Sequence, residues 1–105
     1  IGRGGMASAW RARHPSLGKA LVERIVLAAD AVRRSPDVPG GLSVRATDEA
    51  CVYLEHPLME GDHARMLPEV LKSSFAGRYA GRWSDADSDA GAVWAIVEAC
   101  LKESA

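Results

Sequence analysis

A tandem tetrapeptide within residues 76–83 offers the clearest chemistry in the sequence. Two copies follow each other directly, AGRY and then AGRW. On a helix this four-residue period would stack Arg78 near Arg82 and Tyr79 near Trp83, because positions i and i+4 share a face. Two guanidinium groups beside two aromatic rings suit a phosphate, a carboxylate or a stacked base. The alternative is structural: the rings complete the core, the arginines are solvated and the glycines end a helix.

The histidines and cysteines give weaker signals of a metal site or a nucleophile. His56 and His63 lie among acidic residues, and imidazole with carboxylates can bind a divalent metal, but their spacing across a loop matches no helical ligand pair. Cys51 is the only cysteine that a histidine could activate, whereas Cys100 falls on an apolar stripe and is expected to be inert core. His14, before a proline, is expected only to precede a helix. The sequence predicts no metal, no cofactor and, on balance, no enzyme.

Three alternating aspartates, Asp85, Asp87 and Asp89, imitate the start of a calcium-binding loop. The pattern then fails, because Ala90 occupies the position that needs glycine and Ile96 stands where a bidentate glutamate belongs. Acids and serines before a helix are better explained as caps and as partners of the helix dipole.

Positive charge is concentrated in the first 36 residues, which carry seven Arg or Lys against two acids. Such a segment could contact phosphate backbones, which gives an alternative function as a small nucleic-acid-binding regulator. The arginines that would serve it are Arg11, Arg13, Arg24, Arg33 and Arg34. These bases are spread around the predicted helix, so the simpler interpretation is that opposite charges complement each other within the fold or between subunits.

The composition is that of an ordinary soluble globular domain, with 48% hydrophobic and 26% charged residues and a net charge of −1. It excludes a disordered chain, and the apolar run Ala92 to Val97 is far shorter than a membrane helix requires. Two cysteines cannot form a disulfide-dense scaffold and are expected to be reduced thiols. We expect a cytoplasmic protein because no apolar signal-peptide core follows Met6, and reduced thiols agree with that location. Abundant alanine and arginine favour helices and are typical of a gene from a GC-rich bacterium.

The chain begins with Ile1–Gly5, a Gly- and Arg-rich stretch that we interpret as a cloning scar, with Met6 as the native start. Residues 6–105 are then expected to form a single domain of a size that folds around one core.

Apolar periodicity predicts the helices. A first helix, capped by Ser16, is expected from Leu17 to Arg34, with Asp30 pairing with Arg34. A later helix is expected over residues 62–79, kinked near Pro68, and a last one runs from Asp85 or Asp89 to Lys102. The fold class is therefore mostly α, a single-domain bundle of four to five helices.

Residues 42–56 are ambiguous. Alternating apolar and polar residues allow a short β-hairpin around residues 42–55, which would make the protein α+β. A helix that begins with Thr47 as its N-cap and ends before Pro57 is the interpretation we favour, because it agrees with the overall composition.

Together these observations favour a small intracellular module without enzymatic activity that binds a partner protein as a regulator, adaptor or inhibitor. The expected contact residues are Arg78, Tyr79, Arg82 and Trp83, because arginine and aromatic side chains dominate interface energetics. Association with further copies of the chain is compatible with its charge pattern. The nucleic-acid regulator is the alternative, and a small Cys/His or metal enzyme comes third.

Overall fold

The computed structural model describes residues 14–38, 40–59 and 61–104, which form four α-helices and no strand. The helices are α1 (Lys19–Arg34), α2 (Val44–Leu54), α3 (His63–Ser74) and α4 (Asp89–Ser104). Single 3-10 turns precede α1 and α3 and follow α3, at Pro15–Leu17, Pro57–Met59 and Ala76–Arg78. The mostly α bundle is confirmed, and the hairpin around residues 42–55 is not formed.

The helices enclose one apolar core. α1 packs most extensively on α4, and α2 packs on α3 and, less extensively, on α1. The largest fully buried apolar side chains come from all four helices and the turn after α3: Val22, Ile25, Val32, Leu54, Leu67, Leu71, Phe75, Val93 and Val97. No helix in the described part of the chain is long and apolar enough to cross a bilayer.

The start of α1 differs from the prediction. Gly18, with φ of +79°, separates the Pro15–Leu17 turn from the helix, so Ser16 is not its N-cap. Glycine adopts this left-handed conformation without steric cost, which explains the break. Asp30 also pairs with Arg33 instead of the predicted Arg34. Its carboxylate accepts from Arg33 Nη1 at 3.1 Å.

α2 begins one turn earlier than predicted. Ser43 is its N-cap, and the Ser43 side chain accepts a hydrogen bond from the backbone amide of Ala46 at 3.3 Å. Thr47, the predicted cap, lies buried inside the helix, where its hydroxyl accepts from Arg33 Nη2 at 3.2 Å. Both residue types are good caps, so the sequence alone does not distinguish them.

α3 contains Pro68 in its interior but ends at Ser74 instead of near residue 79. Phe75 leaves the helix and inserts into the core, and the Ser74 carbonyl accepts from Arg78 Nε at 3.0 Å. This bond satisfies one of the carbonyls that a helix end leaves without an intrahelical partner. The glycine that follows, Gly77, makes continuation of the helix less favourable.

α4 begins at Asp89, the later of the two predicted starts. The hydroxyl of Ser88 accepts a hydrogen bond from the Gly91 amide at 3.0 Å, as an N-cap does. The helix continues to Ser104, two residues beyond the predicted end.

Ser74 is a source of instability that a single substitution can remove. Its side chain is fully buried in α3, and Ser74 Oγ has no hydrogen-bond partner within the described ranges. A buried polar atom without a partner costs about 1–3 kcal/mol. We expect Ser74→Ala to raise the free energy of unfolding by about 1 kcal/mol in denaturant titrations.

Ser73→Ala is the matched control for that change. Ser73 precedes Ser74 in the same helix and is exposed, so both substitutions gain the same helix propensity. Only the Ser74 variant also removes a buried hydroxyl. Equal gains in the two variants would show that the Ser74 hydroxyl is satisfied in solution.

Candidate functional site

The tandem repeat is not helical, which corrects the predicted stacking of its side chains. The first copy forms the 3-10 turn Ala76–Arg78, and Tyr79 is extended. In the second copy Gly81 has φ of +91°, and the chain continues as a loop to Ser88. Arg78 and Tyr79 therefore do not sit one helical turn below Arg82 and Trp83, and the glycines shape a loop.

The loop between α3 and α4 is held closed by its own hydrogen bonds. The Ala90 amide donates to the Ala80 carbonyl at 3.0 Å, which joins the two ends of the loop. Ser88 Oγ lies 2.9 Å from the Arg82 carbonyl oxygen and 2.7 Å from that of Asp85. These contacts position the second copy of the repeat against the N-terminal end of α4.

Trp83 is the aromatic side chain that this loop presents. Its side chain is 45% exposed, although its ring packs edge-on against the buried Trp94, with centroids 6.1 Å apart and an interplanar angle of 71°. The ammonium group of Lys72 lies 4.0 Å from the centroid of the Trp83 ring and 5.1 Å from that of Trp94. Lys72 also donates to Glu69 Oε2 at 3.0 Å. A T-shaped pair and a cation–π contact thus fix the indole in one orientation.

A groove of about 420 Å³ lies beside Trp83, and we name it the Trp83 groove. Lys72, Ala76, Gly77, Gly81, Arg82, Trp83, Ser84 and Ala90 line it. The two charged side chains in this lining, Lys72 and Arg82, are both basic. Arg82 is exposed, and no carboxylate of the described residues lies within ion-pair distance of its guanidinium. The groove therefore combines an aromatic wall with an available cation.

Arg78 and Tyr79 lie outside this groove. Arg78 Nη2 donates to Glu49 Oε2 at 2.7 Å, and the arginine thereby ties the turn after α3 to α2. Tyr79 is half-buried and lines, with Arg78, Leu42 and others, a second groove of about 330 Å³. Burial raises the pKa of Tyr79, and the nearby Arg33 and Arg78 partly oppose this shift. The four predicted contact residues are thus divided between two grooves.

Two arginines of the nucleic-acid alternative, Arg24 and Arg33, are engaged within the fold, whereas Arg34 is exposed. Arg24 Nη2 donates to the Leu101 carbonyl at 3.2 Å, and Arg33 contacts four groups of α1, α2 and the segment between them. Arg34 donates through Nε to the Asp30 carbonyl at 3.3 Å. Arg11 and Arg13 lie outside the described residues. The three described arginines do not form a continuous stripe that is free to follow a phosphate backbone.

His14 is buried and forms, with partly exposed carboxylates, a polar cluster that the sequence did not indicate. Its Nδ1 lies 2.5 Å from Glu55 Oε1 and its Nε2 lies 3.1 Å from Asp48 Oδ1. Both ring nitrogens of His14 therefore have a carboxylate partner on or next to α2. The Ser16 hydroxyl donates to Glu55 Oε2 at 3.0 Å. The partners are 34 and 41 residues away from His14, a separation at which sequence spacing carries no signal.

Three of the remaining candidate groups lie in separate segments: Cys51 in α2, His56 in the turn after it, and Asp85 in the loop before α4. Cys51 is fully buried in α2, and His56 Nδ1 accepts from the Leu58 amide. Asp85 Oδ1 accepts from the Asp87 amide within the loop. Among the described residues, no three His, Cys, Asp or Glu side chains are grouped so that they could hold a metal ion.

Comparisons of the chain with protein-family models, with curated proteins and with solved structures found no match.

Proposed function

We propose that this chain is a protein-interaction module without catalytic activity, which binds an acidic segment of a partner protein in the Trp83 groove. The observation that carries the proposal is a half-exposed indole held in a fixed position by Trp94 and Lys72. A regulator, adaptor or inhibitor would act through such a contact by occupying or recruiting its partner.

The energetic basis is the residue type and its immobilisation. Tryptophan and arginine are enriched among the few interface residues whose loss costs about 2 kcal/mol or more. Trp83 is already oriented before a partner arrives, so binding loses little of its side-chain entropy. The loop that carries it is closed by the Ala90–Ala80 hydrogen bond, which limits the ordering that a partner must impose.

The charge of the groove supports an acidic partner. Both charged side chains of its lining are cations, and Lys72 already shares its charge with Glu69. Arg82 has a planar guanidinium that can bind a carboxylate through two hydrogen bonds. A segment that carries an acidic residue beside an apolar one would place the carboxylate on Arg82 and the apolar side chain on Trp83.

Selection of displayed peptides of random sequence on the immobilised chain tests this proposal. We expect enrichment of peptides with an acidic residue next to an aliphatic or aromatic one. For a purified peptide from that set, titration calorimetry should show affinity weakened about 30-fold or more by Trp83→Ala, since about 2 kcal/mol of binding energy is lost. Arg82→Glu should weaken the affinity more than Trp83→Ala does, because the new carboxylate repels the acidic residue of the peptide.

Two surface variants provide matched controls. Leu58 is another exposed apolar side chain, at 84%, and Arg65 is an exposed arginine that lies 3.8 Å from the Asp62 carboxylate. Neither lines the groove, so Leu58→Ala and Arg65→Glu should leave the affinity unchanged. If the selected peptides bind the Trp83→Ala and Arg82→Glu variants as tightly as the parent chain, the proposal is wrong.

A further inference from the structure

A larger groove runs along the contact between α1 and α4 and shares no residue with the Trp83 groove. Its volume is about 600 Å³, and we name it the α1–α4 groove. Leu27 and Ala31 line it from α1, and Ile96 and Cys100 line it from α4. Within each pair the two residues are four positions apart, so each pair forms one ridge of its helix. All four are only partly buried, which leaves an apolar trough open to solvent.

The rim of this groove carries one charge of each sign. Arg34, the last residue of α1, and Glu103, in the last turn of α4, both line the groove and are both exposed. They do not pair with each other, and neither has an oppositely charged side chain within ion-pair distance among the described residues. The patch therefore contains an available cation and an available anion around an apolar centre.

A patch with both charges around an apolar centre can pair with a second copy of itself. In an interface with two-fold symmetry the same patch is used twice, so a residue i that contacts j is matched by j contacting i. Arg34 and Glu103 would then form two ion pairs across the axis, and the two apolar troughs would cover each other. A second copy of the chain would therefore supply an oppositely charged partner for both Arg34 and Glu103, and no different protein would be required.

We propose that the α1–α4 groove is the interface of a symmetric dimer of this chain, in which Arg34 of each protomer pairs with Glu103 of the other. This goes beyond the proposed function, because the interface leaves the Trp83 groove free for a different protein. Two copies of the partner-binding site would then be carried by one assembly.

Cys100 gives this interface a chemical reporter. Burial, followed by the nearby Glu103, raises the pKa of the Cys100 thiol, while Arg24 and Arg34 oppose the shift. Cys100 is partly buried in the single chain, whereas Cys51 is fully buried. Alkylation of Cys100 should therefore slow as the protein concentration is raised and the dimer covers it.

Mass measurement by sedimentation or light scattering over a range of concentrations tests the dimer directly. The parent chain should approach about twice its 11.2 kDa mass. Arg34→Glu and Glu103→Arg should each weaken dimerisation on the order of 100-fold, since each places like charges together at two symmetric positions. The double variant Arg34→Glu/Glu103→Arg should restore the dimer, an outcome that a general loss of stability cannot produce.

Two matched control variants test whether the loss of dimerisation is specific to the α1–α4 groove. Arg65→Glu reverses an exposed charge elsewhere, and Trp83→Ala removes the aromatic side chain of the other groove, so both should keep the dimer mass. A chain that stays monomeric at all concentrations overturns the proposal. A dimer that survives both single charge reversals, or that Trp83→Ala dissociates, also overturns it.

Discussion

Gly91→Ala is expected to lower the free energy of unfolding by about 3 kcal/mol, a larger penalty than helix propensity alone would suggest. A Cβ atom on Gly91 would lie 1.8 Å from the Asp85 carbonyl oxygen and 2.5 Å from its carbon. These are backbone atoms of the loop that closes over the start of α4, so a rotamer change cannot relieve the clash. Overpacking of this kind typically costs about 1–3 kcal/mol and occasionally more, because the backbone must shift. Denaturant titration of the variant and the parent chain measures the difference.

Gly41→Ala is the matched control for this prediction. A Cβ at Gly41 meets no atom within 4 Å, and its φ is not in the left-handed region. Alanine there should leave the stability unchanged or raise it by up to about 1 kcal/mol, because it restricts the unfolded chain. If Gly91→Ala is as stable as the parent chain, the close approach of the loop to α4 is not present in solution.

Arg33→Ala should also lower the free energy of unfolding by about 3 kcal/mol. The guanidinium donates to the Leu42 carbonyl at 2.8 Å, the Asp30 carboxylate at 3.1 Å, the Thr47 hydroxyl at 3.2 Å and the Ser43 carbonyl at 3.4 Å. A hydrogen bond that involves a charged group contributes about 1.5–3 kcal/mol, and truncation leaves partly buried acceptors without a donor. Thermal and denaturant unfolding should both report the loss.

Arg33→Lys separates charge from geometry. A lysine keeps the positive charge but offers a single ammonium instead of a planar fork, so it should recover only a minor part of the lost stability. Arg65→Ala, at a side chain that is 78% exposed, should change stability by no more than about 0.5 kcal/mol. A parent-like stability of Arg33→Ala would contradict the hydrogen-bonded position of this residue.

Helix number and type could be predicted from the sequence because they depend on local periodicity. The stripes of α1 and α4 repeat every three to four residues, and both helices lie where that period places them. The boundaries depend on more than local sequence. Ser43 and Thr47 are equally plausible caps by residue type, and the structure uses Ser43 while the Thr47 hydroxyl accepts from Arg33 on another helix.

The candidate site was only partly predictable, for a similar reason. The residue types of Arg82 and Trp83 indicated a contact surface in the repeat. The four-residue period of the repeat also predicted a helix, which does not form. Lys72 and Trp94, which fix the indole, come from α3 and α4, and no spacing rule connects them with Trp83. Side chains joined only by the tertiary fold cannot be grouped from a single sequence.

The attachments of α2 have a consequence for local opening. Glu55, just after its C-terminal end, is bound by His14 and Ser16, which precede α1, while Arg33, near the end of α1, binds the start of α2. α1 and α2 are therefore antiparallel and joined by hydrogen bonds at both ends. α2 cannot separate from α1 unless the hydrogen bonds at both ends break. Amide protons of the two helices should exchange with solvent deuterium with similar protection, as one cooperative unit.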